Sequence, residues 1–389
     1  MRLAIIRQRY TPYGGAERFV ENALEALLER GVAITLYTRQ WPNTRLQLIE
    51  PVLCNPFYIG RLWRDWSFAR AVCSAVAKKA PELVQSHERL LCCDIYRAGD
   101  GVHRVWLDER LQDASAFTRW RIETSFYHRY LLEMERRLFE SPWLRAVICN
   151  SKMVRDEIHD RFGLSLEKLP VIYNAVDSEV FSPELRRHRA DVRQKLGVPE
   201  SATVFLLVGS GYARKGVATA IRALAKLPSD TYLFVVGRDK SARRYRRLAQ
   251  RHGIARRVAI LGAQDDPKPF YGAADVFVLP TLYDPCPNAA LEAMACGLPV
   301  VTSTKCGAAE LVTENDAGLV CASRDVDALA RHMMTLTDRE ARRLLGARAR
   351  EAVLPLTPTS MTVQMVLLYR DLIAAAVAVR DGEEKPAAL

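Results

Sequence analysis

Short runs of branched apolar residues, each closed by a glycine, a proline or a polar cap, alternate along this chain with longer segments whose apolar positions recur every three to four residues. That alternation predicts parallel strands separated by helices. In the first half, residues 2–6, 32–38, 82–87, 144–152 and 171–177 read as strands, and residues 16–30, closed by Gly31, as an amphipathic helix. In the second half, 202–208, 232–237, 258–261 and 275–281 read as strands. Each half opens on a strand, a glycine corner and a helix: Gly14-Gly15 follows the first strand, and Gly209-Ser210-Gly211-Tyr212-Ala213-Arg214-Lys215-Gly216 follows 202–208. The expected architecture is therefore α/β, with two doubly wound domains over 1–180 and 181–358 and an apolar-faced last helix, 359–389. Between the halves, Arg186, Arg187, His188, Arg189 and Arg193 make 183–199 a basic helical linker.

Composition narrows the partners. Of 389 residues 49% are apolar and 26% charged, proportions that can bury a core in each of two domains. The net charge of +11 and pI near 9.3 call for an anionic partner: nucleic acid, an acidic membrane face or a phosphorylated substrate. No zinc-finger or RNA-binding signature accompanies that charge, so no nucleic acid is expected. The opening apolar run is cut short by Arg7, too early for a signal peptide, and no run approaches the length of a spanning helix, so a cytoplasmic location is expected. Nine cysteines without Cys-x-x-Cys spacing read as reduced, mostly buried thiols rather than a zinc site or a disulfide scaffold, with Cys286 and Cys296 as packing residues.

The candidate chemistry centres on Tyr283-Asp284-Pro285-Cys286-Pro287-Asn288-Ala289-Ala290-Leu291-Glu292. It follows a buried strand, and Pro287 at its start with Gly297 and Pro299 beyond its end predicts a helix over 288–296. The N-terminus of such a helix, near Pro287, Asn288, Ala289 and Ala290, suits a phosphate. Asp284 and Glu292, eight positions apart, offer two carboxylates to different parts of one ligand. Arg214 and Lys215 follow the second glycine corner and can place two positive charges on a diphosphate. The corner lacks the spacing of a P-loop. Gly14 and Gly15 serve either chain reversal or close ligand approach. His87 reads equally as a structural histidine or as a donor to a ligand hydroxyl. Asp325-Val326-Asp327 has a metal-binding look but falls at a predicted helix start, so no metal site is expected. The basic stretch 240–257 reads as a charged outer helix or a face resting on an anionic membrane.

Asp284-x7-Glu292 resembles the Glu-x7-Glu element of the retaining nucleotide-sugar glycosyltransferases of family 4, with the first acid shortened by one methylene. Gly-Gly-x-Glu-Arg at 14–18, the Asn-Ser pair at 150–151, Asn-x-Val-Asp at 174–177 and Arg214-Lys215-Gly216 resemble the same family. The resemblance implies a GT-B fold, two Rossmann-like domains facing across a cleft with the last helix, 359–389, crossing back to the first domain, and transfer of a sugar from a UDP-sugar co-substrate with retention and without a metal cofactor. It implies catalytic roles for Asp284, Arg214, Lys215 and His87, and donor binding by Gly14, Gly15, Gly237, Arg238, Pro287, Asn288, Ala289, Ala290 and Glu292. Glu17, Asp100 and His103 would lie near the acceptor. Residues 99–143 interleave arginines with Phe117, Trp120, Phe126, Tyr127 and Tyr130, a pattern that suits either a membrane interface or a buried interdomain helix. Their position is similar to the membrane-contacting segment of family 4 lipopolysaccharide core glucosyltransferases. The implied acceptor is a membrane glycolipid, first a heptose of the lipopolysaccharide inner core, and the implied location is peripheral, on the inner face of the cytoplasmic membrane. A different lipid-linked acceptor, or a non-catalytic nucleotide-binding protein on the same fold, are the competing readings.

Overall fold

The computed structural model describes residues 1–9, 31–41 and 51–383, with side chains to residue 375. It forms two compact units, residues 1–150, 154–173 and 358–389, and residues 151–153 and 174–357. The expected helix at 16–30 lies outside the described residues, as do Gly14, Gly15 and Glu17.

In the first unit, strands β1 (Arg2–Ile6), β2 (Ala33–Thr38), β3 (Val52–Leu53), β4 (Leu83–Ser86), β5 (Ile95–Arg97) and β6 (Ala146–Ile148) form one parallel sheet in the order β3-β2-β1-β4-β5-β6. Leu3, Ala4, Ile5 and Ile6 are all buried, as a central strand covered on both faces requires. The last helix, Pro358–Glu383, belongs to this unit: Met361, Met365 and Tyr369 are buried, and the Tyr369 hydroxyl donates to Gln85 Oε1 at 2.6 Å. In the second unit, β7 (Thr203–Val208), β8 (Thr231–Val236), β9 (Val258–Gly262), β10 (Val276–Leu279), β11 (Val300–Ser303) and β12 (Gly318–Cys321) form a second parallel sheet, β12-β11-β10-β7-β8-β9. In each sheet the first strand of the unit lies beside the fourth, so the order reverses between β1 and β4 and again between β7 and β10. Loops leaving the carboxyl ends of such a pair diverge and leave a crevice for a ligand.

Three expectations are corrected. Residues 171–177 do not form a strand. Val171 makes an isolated bridge to Cys149, and the chain then leaves the sheet because the Asn174 amide is committed to the Cys286 carbonyl and the Asn288 side chain. The cysteines are not all thiols: Cys73, on the helix Gly60–Lys79, is bonded to Cys92, with Cα atoms 5.7 Å apart, and the other seven are free and buried. The third concerns length and apolarity. Residues 339–375 include a stretch long and apolar enough to cross a membrane, although Met361, Met365 and Tyr369 are buried in the first unit.

Candidate active site

Lys215 is set by three glycines. Gly209 leaves room for its stem, since a Cβ there would lie 2.7 Å from Lys215 Cε. Gly216 takes φ +73° directly against Pro280, and Gly237 comes so close to the Gly209 carbonyl that a Cβ would stand 2.2 Å from its oxygen. The turn after β7 is therefore pressed against the turns after β8 and β10. Gly216→Ala is expected to cost at least about 2 kcal/mol, combining strain of about 1–3 kcal/mol with a Cβ placed 1.9 Å from the Pro280 oxygen. An unchanged denaturation midpoint would contradict this close packing.

At this corner Lys215 Nζ donates to Asp284 Oδ2, and Arg214 Nη1 lies 3.4 Å from the same oxygen. Arg214 also donates to the Tyr283 carbonyl at 3.3 Å, while its own carbonyl accepts from Leu282 N at 2.7 Å and Thr281 Oγ1 at 2.8 Å. Asp284 is held from the other side: its N–H donates to the Lys305 carbonyl at 2.9 Å and its carbonyl accepts from Gly307 N at 2.8 Å. Burial works against its charge, but Lys215 and Arg214 outweigh it and hold the carboxyl below the usual range. Two cations facing one carboxylate leave the corner with a positive charge to spare, between the diverging loops of β7 and β10. Among the described residues no three histidine, cysteine, aspartate or glutamate side chains converge on a metal-sized site. Asp325 caps the helix Val326–Thr335 through Ala328 N, and Asp327 pairs with Lys226.

The helix Asn288–Ala295 starts at Pro287 with no side-chain cap, which leaves its first turn suited to an anion. Asn174 Nδ2 binds the Cys286 carbonyl at 2.9 Å and Asn288 Oδ1 at 2.7 Å, fixing the entry to that turn. One turn on, the buried Glu292 accepts from the Tyr271 hydroxyl at 2.7 Å. Tyr271 is itself fixed edge-on to Phe181 and stacked on Phe277. Burial pushes the Cys296 thiol up to about 12, as befits a packing residue. Gly237 and Arg238 sit on the neighbouring turn: Gly211 N donates to the Arg238 carbonyl at 3.2 Å, Arg238 N to Ser210 Oγ at 3.1 Å, and the Tyr212 hydroxyl to the Gly237 carbonyl at 2.7 Å. Arg214, Lys215, Asp284, Gly237 and Arg238 are thus brought together at the carboxyl edge of one sheet. Sequence reasoning missed Tyr271, which carries no local signal, and the buried Asn174, whose Asn-x-Val-Asp context was the available clue.

The remaining candidates belong to the first unit. His87 follows β4 at the reversal of strand order; its N–H donates to the Ile6 carbonyl, and its Nε2 lies 3.2 Å from Gln85 Nε2. With Tyr369 donating to Gln85 Oε1, the Gln85 amide nitrogen is a donor, so His87 Nε2 accepts and the ring proton sits on Nδ1. Burial, with Arg97 and Arg7 adding to it, keeps this ring neutral. His103 is turned to His128 at 3.1 Å, and burial lowers it to about 3. Its backbone N–H, with that of Arg104, donates to the buried Glu135, which also takes Arg89 Nε at 3.1 Å. Asp100 is exposed.

Residues 13–180 match the Glycosyltransferase Family 4 model and residues 188–352 the Glycosyl transferases group 1 model. The chain is 27% identical over 328 residues to the lipopolysaccharide glucosyltransferase WaaG of Escherichia coli K12, covering 83% of this chain and 85% of that protein. It is 28% identical over 347 residues to the lipopolysaccharide core biosynthesis glycosyltransferase LpsE of Rhizobium meliloti, covering 87% and 91%. The crystal structure of WaaG superposes with a TM-score of 0.80 at 22% identity, over 93% of this chain and 98% of that one. Anabaena HepE in complex with UDP and glucose superposes with a TM-score of 0.73 at 20% identity, over 95% and 100%. With one glycosyltransferase model on each half and the two-sheet fold of these enzymes, the chain belongs to the GT-B glycosyltransferases of family 4 and group 1.

Proposed function

We propose that this protein moves a hexose from a UDP-sugar to a hydroxyl of a membrane glycolipid, first of all a heptose of the lipopolysaccharide inner core, with retention at the anomeric carbon. The observation that carries the reading is the convergence of Arg214 and Lys215 on Asp284 where the strand order reverses. A departing diphosphate meets two fixed cations and an uncapped helix turn there, so no metal is required to hold its charge. The bond from the anomeric carbon to the phosphate oxygen breaks, the bond to the acceptor oxygen forms on the same face, and the acceptor proton passes to the leaving phosphate. Asp284 positions the sugar and Glu292 takes the ribose hydroxyls. The names of WaaG and LpsE and the UDP bound by HepE support acceptor and donor class.

Membrane contact through residues 99–143 is part of this reading, as is a peripheral place on the cytoplasmic side. Phe117, Trp120 and Phe126 are exposed beside Arg119, Arg121 and Arg129, and Phe117 and Trp120 stack with centroids 6.0 Å apart. Such rings settle at headgroup depth while the guanidinium groups meet lipid phosphates. The test is consumption of UDP-, GDP- and ADP-sugars with and without a heptose-bearing lipid acceptor on anionic vesicles. One UDP-sugar consumed faster with that acceptor is expected. Stimulation only by another lipid-linked acceptor would redirect the assignment, and consumption of no donor would overturn it.

A further inference from the structure

The second unit has a depression of about 760 Å³ at the opposite, amino-terminal edge of its sheet. Its walls come from residues just before β7 (Glu200, Ser201), β10 (Asp275) and β11 (Gly297), together with the turn Pro183–His188 and the helix Arg339–Val353. Six arginines line it: Arg186, Arg189, Arg339, Arg342, Arg343 and Arg350. On the helix these recur at 339, 342, 343 and 350, one face. Gly346 on that face sits so close to Gly297 that a Cβ would lie 2.3 Å from the Gly297 oxygen, which seats the helix directly on the turn and holds the arginines over the depression.

An ordinary solvated face intersperses acids with such a run. Here both lining carboxylates are already engaged: Glu200 by Arg189 at 2.5 Å, and Asp275 by Arg189 at 2.9 Å, Arg193 at 2.7 Å and Val204 N at 2.8 Å. Glu340 serves Arg343. Arg342 is fixed by the Leu336 and Thr337 carbonyls and Arg350 by the Ala295 carbonyl, bonds that orient a guanidinium without neutralising it. Arg186 and Arg339 are exposed and have no carboxylate partner among the described residues. Arg186, Arg339, Arg342 and Arg350, on two separate elements that line one concavity and without a carboxylate partner among the described residues, repel one another until an anion enters. Planar guanidinium forks select phosphate oxygens.

We propose that this depression is a second anion site, separate from the glycine corner at Lys215, that takes a compact ligand bearing two or more phosphate groups. The probe is inorganic tripolyphosphate, titrated calorimetrically into the full chain, an Arg186→Ala/Arg339→Ala double variant and a Lys215→Ala variant. Both replaced arginines are exposed and without a carboxylate partner among the described residues, so the double variant is expected to melt as the wild type does. Binding is expected to weaken at least tenfold in the double variant, to persist in Lys215→Ala and to fall with rising salt. Cosedimentation with cardiolipin vesicles, whose lipid headgroup carries two phosphates, compared between wild type and the double variant, distinguishes the source. Dependence on Arg186 and Arg339 in the vesicle arm alone assigns the phosphates to a lipid headgroup, and in the tripolyphosphate arm to a soluble ligand. Independence in both arms, or loss of tripolyphosphate binding in Lys215→Ala with retention in the double variant, overturns the proposal.

Discussion

Lys215→Ala is expected to lower turnover by about 10²- to 10³-fold, the loss that follows removal of one fixed donor to a developing anion. Lys215 suits that role because it is buried and pre-positioned, with its stem in the space left by Gly209 and its ammonium on Asp284. A surface lysine would have to give up freedom and hydration during the reaction; this one already has. The substitution also strands the buried Asp284 with the half-exposed Arg214 alone, 3.4 Å away. Breaking one arm of a buried ion pair costs about 3–5 kcal/mol, less whatever Arg214 recovers by moving in. Lys215→Ala/Asp284→Ala separates the two effects: it should regain stability relative to Lys215→Ala without regaining turnover. Single-turnover kinetics beside denaturant melts read both, and wild-type turnover in Lys215→Ala would remove the ammonium from the chemistry.

The site was legible where chemistry is local in sequence. Arg214, Lys215 and Gly216 stand together at one corner, and Asp284 and Glu292 are joined by a helix whose proline and glycine signals bound it within a residue of its observed span, Asn288–Ala295. The central strands were legible for a related reason: β1 and β10 are buried on both faces and read as unbroken apolar runs. Contacts made across the fold left no such trace. Tyr271 reaches Glu292 from a six-residue helix, Lys268–Ala273, with nothing in its neighbours to announce that contact. The two-residue strand β3 is too short to show periodicity, and β12, mostly half-buried and opening on Gly318, lacks a continuous apolar run. Residues 171–177 have a strand's composition but owe their path to Asn174, whose partners are more than a hundred positions away. The Cys73–Cys92 bond likewise depends on a helix and a loop meeting, which spacing alone does not report.

Glu292→Gln and Glu292→Ala are expected to differ, and the difference tests what the carboxylate does. If Glu292 receives the two ribose hydroxyls of the donor, each bond to a charged acceptor contributes about 1.5–3 kcal/mol. Loss of the charge alone in Glu292→Gln should then raise the donor KM by about ten- to a hundredfold while leaving kcat nearer the wild-type value, because the ribose lies away from the breaking bond. Glutamine can still accept from the Tyr271 hydroxyl, now 2.7 Å from Glu292 Oε2, so stability should change little. Alanine removes that acceptor and leaves the Tyr271 hydroxyl to the longer, 3.4 Å bond with the Ala289 carbonyl, a further cost of about 1 kcal/mol in the melt. Tyr271→Phe closes the argument from the other side. It keeps the ring against Phe181 and Phe277 and removes one bond to the carboxylate while leaving its charge, so the donor KM should rise by less than in Glu292→Gln. A fall in kcat with unchanged KM in Glu292→Gln would move this carboxylate from the nucleotide to the reacting sugar.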